Sequence, residues 1–331
     1  MSSFQREAIT SIGAIIGVVS MLPNLAVTQP QTTITQIEQT NRVSIAYVTT
    51  KDLVLQRFYS LLTEQRALER VQQALSPFRL PEELTIKTAE CGVVNSLYKR
   101  EENFNPTVTI CYEYLRRILE SLPNETSTAG VTPADAATGQ FFFVTLHEVG
   151  HAIFDIFDVP IFGHEEDAAD NFATYIMLQF GRGQARRLIG GAAWAWRAYL
   201  GDYKRNPMVR KRIAALADNH GQPEQRFYNL LCLAFGADPV EFAEARDYLP
   251  ATRLLNCESE YHTLVNAFNR EIGPHIDQHV ARRVLDTTWI PEQKLKPVPQ
   301  PEPAAQTGPV LETKPVPQKK PVRQKRHVRQ K

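Results

Sequence analysis

At 331 residues, with 43% hydrophobic and 22% charged residues, the chain is long enough for one large domain or two modest ones, and its composition excludes a wholly disordered polymer. The formal net charge of +1 conceals an asymmetry. From Gln293 onward there are 10 Lys/Arg against 2 Asp/Glu, which leaves 27 against 34 for residues 1–292, so a body of about −7 carries a tail of about +8.

In chain order, Arg6 is followed by a run from Ala8 to Val27 without a charged residue, the pattern of an export segment. The small residues Ala26 and Thr28 flank a cleavage point for a signal peptide over 1–28; retained, residues 8–27 are long enough to anchor the chain in a bilayer. Either reading exports the domain to the periplasm or the exterior. Residues 29–42, rich in Gln and Thr, read as a polar linker, and the folded domain is expected over 43–290.

Apolar spacing predicts one long amphipathic helix over 52–76, ended by "SPFRLP". Two strand candidates follow, "ELTIKTAECG" and "PTVTICYEYL", separated by the polar "KREENFN" and expected to pair antiparallel. A helix is predicted over Tyr112–Leu122. Thr132, Pro133 and Asp135 then supply a cap, a first-turn proline and an acid three residues after the cap, so a helix should run through "FFFVTLHEVGHAIFDIF" and stop before Pro160. A second helix should run from Glu165 to "GRG" at 181–183, with further helices over 184–200, 207–218, 223–236, 239–247 and 256–285. From Pro291 the chain is Pro, Lys, Arg and Gln, with "KPVPQ" at 296–300 and again at 314–318, and is expected to be a disordered, polyproline-like arm over 291–331.

Cys91, Cys111, Cys232 and Cys257 form no CxxC motif, which argues against a cysteine-ligated metal. In an oxidising compartment an even number pairs, and of three connectivities Cys91 with Cys111 and Cys232 with Cys257 is favoured.

"LHEVGHAIFD" at 146–155 is the chemical centre of the sequence. His147 and His151, four apart on a helix, project from one face and can share a metal ion, while Glu148 points to the side of that face, where it can take a proton from a metal-activated water. Zinc suits neutral imidazoles, but an open catalytic site needs a third protein ligand. Downstream, "GHEEDAADNFATYIML" offers Glu166 as that ligand, with Glu165 and His164 as rivals. Asp170, one turn after Glu166 and set among alanines and Phe172, is expected to accept the remaining ring N–H of a ligand histidine and fix its tautomer. Acids at a helix start also simply favour the macrodipole, which explains "EED" but not Asp170.

This arrangement resembles the gluzincin type of zinc metallopeptidase, in which HExxH is followed on a second helix by a ligand Glu and an Asp four residues later. The blocks "RLPEELTIKTAECGVVNSLY", "TICYEYL", "LHEVGHAIFDIFDVPIFGHEEDAADNFA", "DNHGQPEQRFYNLLCLAFGADP" and "LPATRLLNCESEYHTLV" resemble, over about residues 45–277, an exported bacterial family classed as metallopeptidases without an established physiological substrate. That resemblance implies His147, His151 and Glu166 as metal ligands and Glu148 as the catalytic residue. The expected fold is therefore α+β, a zincin-like domain that is mostly helical with a small sheet, and the expected chemistry is zinc-dependent hydrolysis of peptide bonds.

A tetrahedral intermediate also needs a donor for its oxyanion. His220, Arg226 and Tyr228 are candidates, with His220 ranked first; Arg226 reads equally well as the buried partner of an acid, and Phe227 and Tyr228 as core. Either strand candidate could form the sheet edge that holds an extended peptide substrate. Trp194 and Trp196 read as packing more readily than as a cleft lining. The basic arm suits anionic cell-envelope surfaces, and a nucleic-acid role fits an exported protein poorly. The sequence sets no oligomeric state. The competing class is a non-catalytic module on the same scaffold, localised by its tail; intact Glu148 favours the enzyme.

Overall fold

A computed structural model describes residues 42–122, 124–205 and 219–285. The expected export segment, nearly all of the linker, the helix over 207–218 and the basic arm lie outside them. Among the described residues, four strands and nine α-helices form a mostly helical α+β fold.

The sheet has the order β1-β2-β4-β3, built from β1 (Val43–Tyr47), β2 (Leu84–Ala89), β3 (Ser96–Arg100) and β4 (Pro106–Cys111). β1 and β2 run parallel, as do β2 and β4, while β3 is antiparallel to β4. The two strands expected from the sequence are therefore neighbours, but parallel ones. "KREENFN" forms the end of β3 and the β3–β4 turn, in which Phe104 takes φ 63°. Because β3 lies outside β4, the segment after β2 must cross the end of β4 to reach it. A disulfide between Cys91 and Cys111 pins that crossing, with Cα atoms 5.6 Å apart. The Glu113 carboxylate also accepts the backbone N–H groups of Cys91 at 3.0 Å and Gly92 at 2.5 Å. Both expected strands are interior; β1 and β3 are the edges, which corrects the expectation that one of the interior pair would meet a substrate.

The expected single helix over 52–76 is two, α1 (Leu55–Glu64) and α2 (Ala67–Ala74). Arg66 sits between them in the left-handed region at φ 51°. The free amides of a new helix start need acceptors, and the Tyr47 hydroxyl accepts the Leu68 N–H while donating to Glu69, both at 2.7 Å. The turn brings Leu68 and Val71 fully into the core. α3 (Tyr112–Ser121) follows β4 directly.

α4 (Pro133–Ile156) begins at the expected cap: the Thr132 hydroxyl accepts the Asp135 N–H, and Asp135 accepts the Thr132 N–H, each at 3.1 Å. The helix is buried on nearly every side, which its apolar sequence requires. α5 (Glu165–Leu178) packs along it at Gly150, where a Cβ would lie 3.2 Å from Ala169 Cα, so this glycine sets how near the second acidic helix approaches. Gly181 at φ 81° turns the chain into α6 (Arg182–Arg205), which crosses α4 with backbones nearly touching: a Cβ at Gly191 would fall 2.0 Å from the Asp135 carbonyl oxygen.

α7 (Pro223–Ala237) is joined to α8 (Ala251–Glu271) by the second expected disulfide, Cys232–Cys257, with Cα atoms 4.9 Å apart. The expected helix over 239–247 is only a 3-10 turn, Ala243–Asp247, because the Asp238 carboxylate accepts the Val240 and Glu241 amides and closes the chain locally. The expected helix over 256–285 starts earlier, after Pro250, and breaks at a second 3-10 turn, Gly273–His275, before α9 (Gln278–Leu285). The break frees backbone groups to pair with the segment after α2: Arg79 N–H donates to His275 at 2.8 Å and Asp277 N–H to Pro77 at 2.7 Å. No helix of the described residues is long and apolar enough to cross a membrane.

Candidate metal centre

His147 and His151 lie one turn apart on α4, with ring centroids 4.9 Å apart and planes nearly perpendicular. Their Nε2 atoms are 3.3 Å from each other, and both face Glu166 Oε2 on α5, at 3.0 Å from His147 and 3.5 Å from His151. Each imidazole turns its other nitrogen to a carboxylate. His147 Nδ1 meets Asp170 Oδ1 and His151 Nδ1 meets Glu165 Oε1, both at 2.7 Å. Glu165, the rival ligand at the sequence level, thus lies on the far side of His151 from Glu166. His164 caps the start of α5 without a side-chain hydrogen bond to it.

These contacts set the chemistry of the donors. A neutral imidazole that donates from Nδ1 to a carboxylate presents a bare lone pair at Nε2. Two such lone pairs and a carboxylate oxygen then converge within 3.5 Å and repel one another unless a cation lies between them. A tetrahedral zinc with bonds of about 2.0–2.1 Å separates its ligands by about 3.3 Å, the scale of the three distances here. His147, His151 and Glu166 therefore fit a divalent metal ion in donor type, spacing and supporting hydrogen bonds.

The electrostatics follow the crowding. Contacts with His147, His151 and His220, with no cation between them, hold the Glu166 carboxyl far below the usual carboxylate range. With no cation between the ligands, burial pulls His151 down, but Glu166 and Glu165 outweigh it and push the imidazole up to about 9, so that a metal ion would have to displace a proton there. Glu148, 7% exposed beside the two histidines, has its carboxyl raised by burial, which His147 and His151 only partly oppose. Burial would also raise Asp170, yet Arg226 and His147 keep it below the ordinary range.

His220 stands just before α7, partly exposed, with its ring 5.7 Å from that of His147 and Nε2 2.9 Å from Glu166 Oε2. Arg226 is the buried partner of an acid: it donates Nε to Asp170 Oδ2 at 2.7 Å and Nη2 to Oδ1 at 2.6 Å. Phe227 is core, whereas Tyr228 is exposed, and Trp196 is packed edge-on against Phe143. Trp194 borders a separate small, largely apolar cavity of about 40 Å³ with Arg197, Phe227 and Tyr248.

Three features were not read from the sequence. Two are the edge strands β1 and β3, each only five residues long. The third is Asp155, one turn beyond His151, whose carboxylate takes the Tyr98 hydroxyl and, at 2.7 Å, Arg100 Nε, and so fastens α4 to the edge strand β3. Its place at i+4 from His151 was the available signal.

A family model described as "Putative metallopeptidase" matches residues 47–271, from the end of β1 through α8. The chain belongs to this family. The match takes in every residue of the site, and a family named for metal-dependent peptide hydrolysis implies a metal and a peptide or protein substrate. No curated protein and no solved structure matches the chain significantly.

Proposed function

We propose that this metallopeptidase is a zincin-like enzyme of the gluzincin type that hydrolyses peptide bonds with zinc held by His147, His151 and Glu166. One observation carries the reading: two Nε2 atoms and a carboxylate oxygen converge within 3.5 Å while carboxylates occupy the opposite ring nitrogens. A zinc ion held by that set would supply Lewis acidity to a water and to the scissile carbonyl. Glu148, made more basic by burial, accepts the proton of the attacking water and passes it to the leaving amine. His220, on the α7 side of the ligand set, donates to the oxygen that gains charge as the carbonyl is attacked. The outer edge of β3, unpaired among the described residues and fastened to α4 at Asp155, pairs with an extended substrate backbone.

Two disulfides support an exported domain, the N-terminal run being its signal or anchor. The basic arm in this reading holds the enzyme near anionic cell-envelope surfaces.

Metal content and hydrolysis of a peptide library, measured on the purified chain beside Glu148→Gln, test the proposal. The expected result is about one zinc per chain in both proteins, with turnover abolished by chelator and lowered about 10²- to 10⁴-fold by the substitution. Zinc in both proteins without turnover in either would identify a binding module, and no zinc would overturn the ligand assignment.

A further inference from the structure

One side chain joins all four helices around the site. Arg226 rises from the first turns of α7, its two hydrogen bonds span both oxygens of Asp170 on α5, and its guanidinium lies 4.6 Å from the ring centre of Trp196 on α6 and 5.6 Å from that of Phe143 on α4. Asp170 Oδ1 is the atom that also meets His147 Nδ1. The carboxylate is therefore held from two directions, and the aromatic slot keeps the guanidinium from swinging away. Alongside it, α5 meets the entry to α7 and its first turn in order. Glu166 faces His220, the Asp167 carboxylate lies beside Gly221, where a Cβ would sit 3.4 Å from it, and Asp170 faces Arg226.

We propose that Arg226 is a positioning residue of the metal centre: by gripping both Asp170 oxygens it fixes the acceptor that sets the tautomer and ring orientation of His147. The inference rests on the metal-site reading above. The physical reason is geometric. A carboxylate free to rotate would offer His147 a range of directions, whereas one clamped in a planar, two-point pair offers one. A lysine at 226 would preserve the charge but reach one oxygen, so charge and orientation separate in a single substitution.

The test uses the full chain and Arg226→Lys, with Asp170→Asn/Arg226→Met as a second variant that buries no unpaired charge if the first does not fold. Zinc affinity is measured by competition with a chromophoric chelator, and the ligand field by the visible spectrum of the cobalt-substituted protein. We expect a cooperatively folded variant that binds zinc about 10- to 100-fold more weakly and shows a shifted cobalt spectrum. A folded variant with wild-type affinity and spectrum, even if its unfolding midpoint drops, overturns the proposal and leaves a purely structural ion pair. Wild-type protein that binds neither metal would instead overturn the metal-site reading, so the two failures are distinct.

Discussion

His220 is the residue whose role the geometry narrows most. Read from the sequence, a histidine in a turn between Asn219 and Gly221 is more often structural than catalytic. In the fold its ring stands 5.7 Å from that of His147 and its Nε2 touches Glu166, so it borders the space where a carbonyl would meet a metal ion held by the proposed ligands. If it stabilises the charge that develops during attack, His220→Ala lowers kcat by about 10²- to 10³-fold, with KM and zinc content little changed. If its work is to hold Glu166 in place, zinc affinity falls instead. Parallel kinetics and metal analysis on the one variant separate the two. Glu165, far more exposed than Asp170, supports His151 from solvent, so the two histidines are oriented by very unequal environments.

At the scale of elements, what the sequence revealed depended on whether the deciding interaction was local. The α4 start was legible because Thr132, Pro133 and Asp135 interact within one turn, and the convergence of His147, His151, Glu166 and Asp170 was legible because two helices with matched four-residue spacings leave few ways to face each other. The break at Arg66 was not, since the groups that settle it, Tyr47 and Leu68, are 21 residues apart. Nor was the parallel pairing of β2 and β4, which depends on where β3 is laid down rather than on either strand's own pattern. The α4–α6 crossing is a further non-local feature and makes a prediction. A Cβ at Gly139 would lie 2.3 Å from the Leu188 carbonyl oxygen, and one at Gly191 2.0 Å from that of Asp135, so neither has flexible side-chain atoms to push aside. Gly191→Ala should therefore cost about 2–3 kcal/mol in urea unfolding. Gly183→Ala, on the same helix with nothing within 4 Å, should be neutral or stabilising by about 0.5 kcal/mol. Equal effects at the two positions would mean that helix propensity, not the crossing, governs α6.

Over the whole molecule, a set of tyrosines gives stability a pH dependence on the alkaline side. Burial raises the phenols of Tyr47, Tyr98 and Tyr175 well above their ordinary range, with Glu69 adding to the first and Asp155 to the second, and burial raises Tyr112 and Tyr261 as well. They knit distant parts of the fold: Tyr47 joins β1 to α2, Tyr98 joins β3 to α4, and Tyr175 of α5 packs against Phe268 of α8 at 4.2 Å. In the unfolded chain these phenols ionise near pH 10; in the folded protein they stay protonated beyond it. Above pH 10 the unfolded state therefore binds fewer protons than the native one, and stability falls as pH rises. Their contribution is complete below pH 10 and is lost progressively above it, toward the raised native values. Urea midpoints should be flat between pH 8 and 9.5 with respect to these groups and drop steeply from pH 10 to 11.5. Each phenol whose ionisation is fully suppressed contributes about 1.4 kcal/mol per pH unit to the slope, and Tyr175, buried and strongly raised, approaches that limit. Absorbance at 295 nm should show fewer ionised tyrosines in native than in urea-unfolded protein at pH 11, and Tyr175→Phe should flatten the alkaline limb. Identical titration curves for native and unfolded chains would mean that opening of the helices around α5 exposes these rings well before global unfolding.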